Sequence, residues 1–425
     1  MKVMVLSLTE CVSLDFSLAK NSVLENRRET LPFILSIKGE CSSSPPITVL
    51  FVIDTSYSMD GEKIFRAKQS ALKILTLLRD IDYVGVYGFH DNFYKVLEPT
   101  KVVNRRVVEK AIVDLKLGSG TNIYDVFDKL VDEVSFINNN LKTPIRLIFL
   151  TDGQPTTGPK KIDKIMNAVS RLVDKNISSL IIGVGEDYNE NLLLKIAKTL
   201  NGVFEHIDKP ESLEKIMYDY IAFTREISAR NTKLIIRLNP GFNLVVYNRK
   251  YDLKQDGIVV DIGEVNYGEL INIVGDIETP PLTIGLAKVG DIQLSYVNPA
   301  NGRIEVSSPI SIEIRVSSRE ELSAASVSES VLMKSRLIKI ASQIEKDIEK
   351  GVSKDLIREL ENIAEITMKI GDEELASKTI SIREKIIESG LTPSLSKEIA
   401  SIVSRILSGK TRIKRGEESS GEHGE

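Results

Sequence analysis

The sequence predicts an α/β doubly wound parallel sheet combined with a β-sandwich and a C-terminal helical bundle. Three observations carry this. Short apolar runs alternate with helix-period segments from Thr48 to Thr224. From Asn231 to Val316 helical periodicity is absent, and short strands are punctuated by Asn239-Pro240-Gly241, Pro280-Pro281 and Asn301-Gly302. From Glu320 to Leu407 apolar residues return at helical spacing, with Gly351, Gly371 and Gly390 at the breaks. Strands alternating with helices of about 10–15 residues require crossover connections, which cover both faces of a parallel sheet.

Within the first texture, Thr48–Asp54 (TVLFVID) reads as a strand buried on both faces. Ile64, Ala67, Ala71, Ile74, Leu75 and Leu78 follow at helical spacing, and Tyr83–Phe89 returns to strand. Val107–Leu115 and Ile123–Val134 are helices, Ile145–Leu150 a strand, Lys161–Val173 a helix and Ser178–Val184 a strand. Leu192–Leu200 is helical, Val203–His206 a short strand, and Glu211–Thr224 a last helix.

The second texture offers strands at Lys233–Leu238, Asn243–Tyr247, Ile258–Ile262, Leu270–Val274, Leu282–Leu286, Ile292–Tyr296 and Ile310–Val316, which suit a sandwich. Leu31–Ile37 is strand-like too, yet lies ahead of the parallel sheet with no partner there. It is expected to pair with the later β region, making the α/β domain an insertion. Helix stripes follow at Val331–Ile348, Leu356–Ile370, Leu375–Ile386 and Ile399–Ile406, and helices of that length need one another. The expected division is 1–46 as N-terminal strands of the sandwich, 47–228 as the α/β domain, 229–318 as sandwich, 319–409 as helices and 410–425 as a disordered tail rich in Gly, Ser and Glu.

Composition narrows the class. Lys+Arg 56 against Asp+Glu 60 leaves a net charge of -4, which gives no overall basic surface for nucleic acid and no polybasic membrane signal. Apolar runs such as Ile47–Ile53 and Leu147–Leu150 are far short of a membrane span, and Glu10 interrupts the N-terminal apolar stretch too early for a signal peptide. A cytoplasmic location is the reading that remains. Cys11 and Cys41 cannot build a disulfide framework or a four-ligand zinc site, and whether they bridge is left open. Abundant Ile, Lys and Glu without Trp points to a thermophilic source.

The chemistry lies in three turns. Asp54, Ser56 and Ser58 (DTSYS) end the first buried strand; Thr121 sits in GSGTN, opening the Ile123 helix; Asp152 in TDG follows the Ile145 strand. Singly, each is a capping or turn residue. Together they fall at the carboxyl end of one parallel sheet, where such sheets bind ligands. Hydroxyls of Ser56, Ser58 and Thr121 with carboxylates of Asp54 and Asp152 form an all-oxygen set suited to a hard cation, Mg²⁺ above all, with Mn²⁺ or Ca²⁺ as alternatives. With only two carboxylates the ion stays electron-poor and can accept an Asp or Glu carboxylate from outside.

This constellation resembles the metal-ion-dependent adhesion site (MIDAS) of the von Willebrand factor type A (VWA) domain. VGVYGFHD at Val84–Asp91 and LTDGQPT at Leu150–Thr156 resemble that family's second and fourth strands, and the match runs from about Ile47 to Thr224. The whole chain is also similar to bacterial and archaeal proteins in which a β region follows the A domain and helices end the chain; LNPGFNL at Leu238–Leu244 resembles the start of that β region. One departure is Tyr57, where many members carry Gly, and the larger side chain bears on which partner fits. The resemblance implies a non-enzymatic protein–protein interaction module or scaffold whose Mg²⁺ completes the contact with an acidic partner residue.

Other signals fail on spacing. Gly153-x-x-x-x-Gly158 is followed by Pro159, not Lys, so it is no phosphate loop; Gly183-x-Gly185 has Tyr188 in place of a third glycine. A calcium loop counted from Asp54 would need Gly where Met59 stands and Glu where Phe65 stands. His90 and His206 end strands, His423 lies in the tail, and Lys410, Arg412, Lys414 and Arg415 read as a solvated helix end. The competing function classes are a Mg²⁺-dependent hydrolase, which lacks a second carboxylate cluster and a base, and an A-type structural protein without a working metal site.

Overall fold

A computed structural model describes residues 11–173, 175–255, 257–319, 327–350 and 355–412. The chain divides into two compact units, one of Ser44–Arg225 with Gln343–Ser408, the other of the flanking chain up to Ser43, Glu226–Ser342 and from Gly409 onward. It opens with strands β1 (Val12–Leu18), β2 (Ser22–Leu24) and β3 (Thr30–Gly39) of the second unit, then enters the first.

The first unit is built on β4 (Thr48–Asp54), β5 (Tyr83–Phe89), β6 (Phe93–Lys101), β7 (Ile145–Thr151), β8 (Ile177–Val184) and β9 (Val203–Ile207). They form a six-stranded sheet in the order β6-β5-β4-β7-β8-β9, parallel except for β6. All seven residues of β4 and of β7 are buried, as their continuous apolar runs require of central strands covered on both faces. The covering helices are α1 (Glu62–Ile74), α2 (Arg105–Val113), α3 (Ile123–Phe136), α4 (Ile162–Ser170), α5 (Glu190–Thr199) and α6 (Leu213–Thr224). Helix α1 buries Ile64, Ala67, Ala71 and Ile74, one stripe at helical spacing. Asn122 and Asn189 cap α3 and α5 through their side-chain oxygens.

Strand β6 is absent from the sequence reading. It is an edge strand that carries Lys95, Glu98 and Pro99, and its residues are mostly half-exposed. Edges tolerate charge and proline because one side of the ladder has no neighbour, so the apolar signal of a buried strand is missing.

Helix α7 (Glu329–Lys350) precedes an antiparallel pair, α8 (Leu356–Lys369) and α9 (Glu373–Ser389), and then α10 (Pro393–Ser408). The bundle does not stand free, because α10 lies along α5 and the edge strand β9. The outward backbone N–H of Phe204 in β9 donates to Ser404 Oγ of α10 at 3.0 Å, and Ser401 Oγ donates to Glu205 Oε2 at 3.1 Å. An edge strand's free N–H needs a partner when buried, and α10 supplies it.

The second unit is two facing antiparallel-rich sheets. The strands after the α/β unit are β10 (Ile227–Leu238), β11 (Asn243–Val246), β12 (Tyr251–Lys254), β13 (Gly257–Asn266), β14 (Glu269–Glu278), β15 (Gly285–Val297), β16 (Ile304–Val306), β17 (Ile310–Ser317) and β18 (Lys410–Arg412). One sheet runs β1-β3-β14-β11 with β18 on β14; the other runs β12-β13-β10-β15-β17-β2 with β16 on β15. Phe33, Leu35 and Ile37 from one sheet and Leu234, Ile236 and Leu294 from the other share a single core. Leu31–Ile37 thus pairs with β14, from Leu31↔Ile277 to Ile37↔Ile271.

Two readings are corrected and one open question is answered. Leu282–Leu286 and Ile292–Tyr296 are not two strands; Gly285–Val297 is one, broken only by a register shift between Lys288 and Gly290. The segment read as a tail from 410 begins with a strand, Lys410–Arg412, and its Lys410 pairs with Glu269 at 3.6 Å rather than ending a helix in solvent. The remainder of that segment, with Lys414, Arg415 and His423, lies outside the described residues. Cys11 and Cys41 are joined by a disulfide just beyond the Val12↔Gly39 end of the β1–β3 pair.

Candidate metal centre

The crossover from β4 leads to β5 on one side, while β7 continues to β8 on the other, so the strand order reverses between β4 and β7. A crevice opens at the carboxyl ends of such a pair. Asp54 ends β4 and Asp152 directly follows β7, and both are fully buried.

Asp54 is held at both oxygens. Oδ1 accepts the Ser56 backbone N–H at 2.8 Å, and Oδ2 accepts Thr151 Oγ1 at 2.5 Å. Burial raises its pKa to about 6, against the lowering effect of those hydrogen bonds, and the Asp152 charge adds to the rise. Two buried carboxylates near one another are a standing electrostatic demand for a cation.

The hydroxyls extend the network. Ser56 Oγ and Ser58 Oγ are 2.9 Å apart, and Ser58 Oγ donates to Asp152 Oδ1 at 2.7 Å. Asp152 Oδ2 accepts Lys63 Nζ at 2.6 Å, from the first turn of α1. Thr121 comes from the loop before α3. That loop is tied to the end of β4 by Gly118 N–H on Thr55 O at 2.8 Å, and the Thr121 carbonyl accepts the N–H groups of Thr156 and Thr157 at 3.0 and 3.3 Å. Thr156 Oγ1 accepts the Thr121 N–H at 2.8 Å in return.

The third hydroxyl makes no hydrogen bond to the others but borders the same space at Gly153. A Cβ placed there would stand 3.4 Å from Thr121 Oγ1 and 3.9 Å from Ser58 Oγ, so the space all three share is kept open by the missing side chain. Asp54, Ser56, Ser58 and Asp152 therefore form one hydrogen-bonded chain, and Thr121 faces it across Gly153. Every donor is oxygen, mostly neutral, and the set fits a hard divalent cation that keeps some of its water. Among the described residues no cluster of three His, Cys, Asp or Glu gathers as a metal site, here or elsewhere, so the set depends on its hydroxyls.

Tyr57 stands 65% exposed and Phe65 54%, so the Tyr57 ring turns out to solvent at the rim instead of filling the crevice. His90 does not join the set: its ring lies against Gly118 and 5.2 Å from the Tyr94 ring, with Nδ1 accepting the Asp91 N–H at 2.9 Å. His206 is buried beneath α10 against Tyr188 Oη at 2.6 Å, and burial lowers its pKa. Tyr188 fills the place a side chain at Gly183 would need, so that glycine serves packing and not a dinucleotide.

Lys63, Thr151 and Gly153 escaped the sequence reading as members of the site. Lys63 carried a usable signal, a cation in the first turn of a helix, where the macrodipole disfavours it.

Residues 48–219 match the family model of the von Willebrand factor type A domain. An uncharacterized protein of Synechocystis, sll0103, is 24% identical over 302 residues, 68% of this chain and 70% of its own length. Inter-alpha-trypsin inhibitor heavy chain H4 of Sus scrofa is 28% identical over 255 residues, 53% of this chain; the chain spans 26% of that relative. Among solved structures, the ArnB paralog VWA2 of Sulfolobus acidocaldarius superposes with a TM-score of 0.69 at 20% identity, covering 92% of this chain and 97% of that one. A von Willebrand factor type A protein of Catenulispora acidiphila gives 0.73 at 17% identity, covering 89% and 92%. The likeness in fold thus extends over sandwich, A domain and helices alike.

Proposed function

On the premise that residues 48–219 are a von Willebrand factor type A domain, a fold that typically serves as a protein-interaction module, we propose that this chain is a scaffold that captures an Asp or Glu of a partner protein through Mg²⁺. The observation that carries the reading is the convergence of Asp54, Ser56, Ser58 and Asp152 in one hydrogen-bonded chain facing Thr121 at the strand-order reversal. The hydroxyls of Ser56, Ser58 and Thr121 would hold the ion, with Asp54 and Asp152 compensating its charge. Bound there, the ion would offer a Lewis-acidic position to an outside carboxylate. The protein's own part is to orient those hydroxyls from the sheet edge and to keep Tyr57, between the two serines, exposed as an apolar contact for a partner.

No helix among the described residues is long and apolar enough to cross a membrane. The Cys11–Cys41 bridge restricts the proposed cytoplasmic location to a thermophilic source, since disulfides otherwise belong to oxidising compartments.

The reading is tested by calorimetric titration of Mg²⁺ into metal-free protein beside Asp152→Ala. One-site binding by the wild type, lost in a variant that keeps its circular dichroism, is the expected result. A folded wild type that binds no Mg²⁺ either alone or with acetate supplied as the outside carboxylate rejects it in favour of an A-type fold kept for shape, a second reading favoured by the Lys63 ammonium already on Asp152.

A further inference from the structure

Lys63 is the second residue of α1, where the partial positive charge of the helix N-terminus opposes a cation. Its side chain nevertheless reaches back over the strand ends. Nζ lies 2.6 Å from Asp152 Oδ2 and 3.4 Å from the Ser58 carbonyl oxygen. Its terminal Cε and Nζ are 3.7 Å from the point where a Cβ on Gly185 would stand, just after β8. Gly185 has φ +74°, a conformation glycine takes without strain, and no side chain there crowds the ammonium. The side chain is 28% exposed, whereas Asp152 is fully buried.

Both oxygens of Asp152 are thereby committed, Oδ1 to the Ser58 hydroxyl and Oδ2 to Lys63. A buried carboxylate left unpaired is strongly unfavourable, so the ammonium meets the same demand that a metal would meet. A divalent ion entering beside Ser58 then faces a positive charge in direct contact with the carboxylate that should attract it.

We propose that Lys63 is a built-in rival of the metal: it neutralises Asp152 in the metal-free protein, weakens divalent-cation binding, and so makes stable occupancy depend on the carboxylate an acidic partner brings. This rests on the metal-site reading above. Its consequence is a module whose metal and partner bind together. An added carboxylate compensates the excess positive charge of ion plus ammonium, which the chain itself, with Asp152 already paired, does not.

Mn²⁺ titrated calorimetrically into the full chain tests this with three proteins: wild type, Lys63→Met and Lys63→Arg. Removing a unit charge this close is expected to tighten Mn²⁺ binding about tenfold or more in Lys63→Met, while Lys63→Arg keeps the wild-type affinity to within about threefold. The rise in Tm on adding Mn²⁺ should also be larger in Lys63→Met than in wild type, a response that loss of a merely structural ion pair would not produce. Equal or weaker Mn²⁺ binding in Lys63→Met, with the wild type binding, overturns the rivalry and leaves the metal site standing. No Mn²⁺ binding by any of the three overturns the metal site and the rivalry together.

Discussion

Arg225 Nη2 lies 2.7 Å from Asp82 Oδ2 at the amino-terminal end of the parallel sheet, the end away from the candidate metal centre. Asp82 has no exposed side-chain surface, and its carboxylate also accepts the backbone N–H groups of Ile47 and Arg79 at 3.1 and 2.7 Å. Four segments of the α/β unit meet there: the entry to β4, the turn after α1, the entry to β5 and the exit from α6.

Burial pushes the Asp82 pKa up, but Arg225 and the two backbone donors more than offset it and hold it below the ordinary value. A depressed folded-state pKa contributes stability that is present above the unfolded value and lost as pH falls through the folded one. The wild type should therefore lose stability below about pH 4. Arg225→Gln should cost about 1–3 kcal/mol at pH 7, since it leaves the buried carboxylate only the longer ion pair with Arg79 Nη2 at 3.3 Å, and markedly less at pH 3, where Asp82 is closer to neutral. Urea unfolding at the two pH values measures both; an equal loss at each would mean that Arg225 acts through packing.

The Gly153 opening leads to a sharper expectation about space. Gly153→Ala puts a methyl group in van der Waals contact with Thr121 Oγ1, in the volume shared with Ser58. No backbone or core group is displaced, so Tm should change by little, while Mg²⁺ affinity falls about tenfold as the ion's water is crowded. Calorimetry beside a thermal melt separates the two effects, and an affinity equal to wild type would place the ion away from Thr121.

The Cys11–Cys41 bridge closes a sequence separation of 30 residues in the sandwich unit. By loop-closure entropy it should contribute about 3–4 kcal/mol. Cys41→Ser, or reduction of the native protein, is expected to lower the unfolding midpoint of the sandwich strands while leaving Mg²⁺ binding unchanged, because the candidate ligands belong to the other unit. Loss of metal binding on reduction alone would contradict that independence.

Much of the α/β unit was legible because its central strands must be apolar on both faces. Thr48–Asp54 and Tyr83–Phe89 match the structure residue for residue, and Ile145–Leu150 falls one residue short. The candidate ligands were legible for a related reason. Strand ends are marked by where apolar runs stop, so polar residues just beyond them are placed at one edge once the sheet is known to be parallel.

Other features left no such mark. The edge strand Phe93–Lys101 is half in solvent and tolerates the charges that disguise it. The seating of α10 on β9 turns on one backbone N–H, that of Phe204, finding Ser404, a pairing between residues 200 positions apart. The Cys11–Cys41 bridge requires β1 and β3 to run side by side to Val12↔Gly39, which only the sheet register decides.

What the sequence by itself determined is the succession of textures and the chemistry at the strand ends, since hydrophobic period and donor type are local properties of the chain. What only the tertiary structure decided is which charges meet. Lys63 reaches Asp152, and Arg225 reaches Asp82, across 89 and 143 positions of sequence. Contacts of that kind depend on the crossing of helices over strands, and no local pattern of residues encodes them.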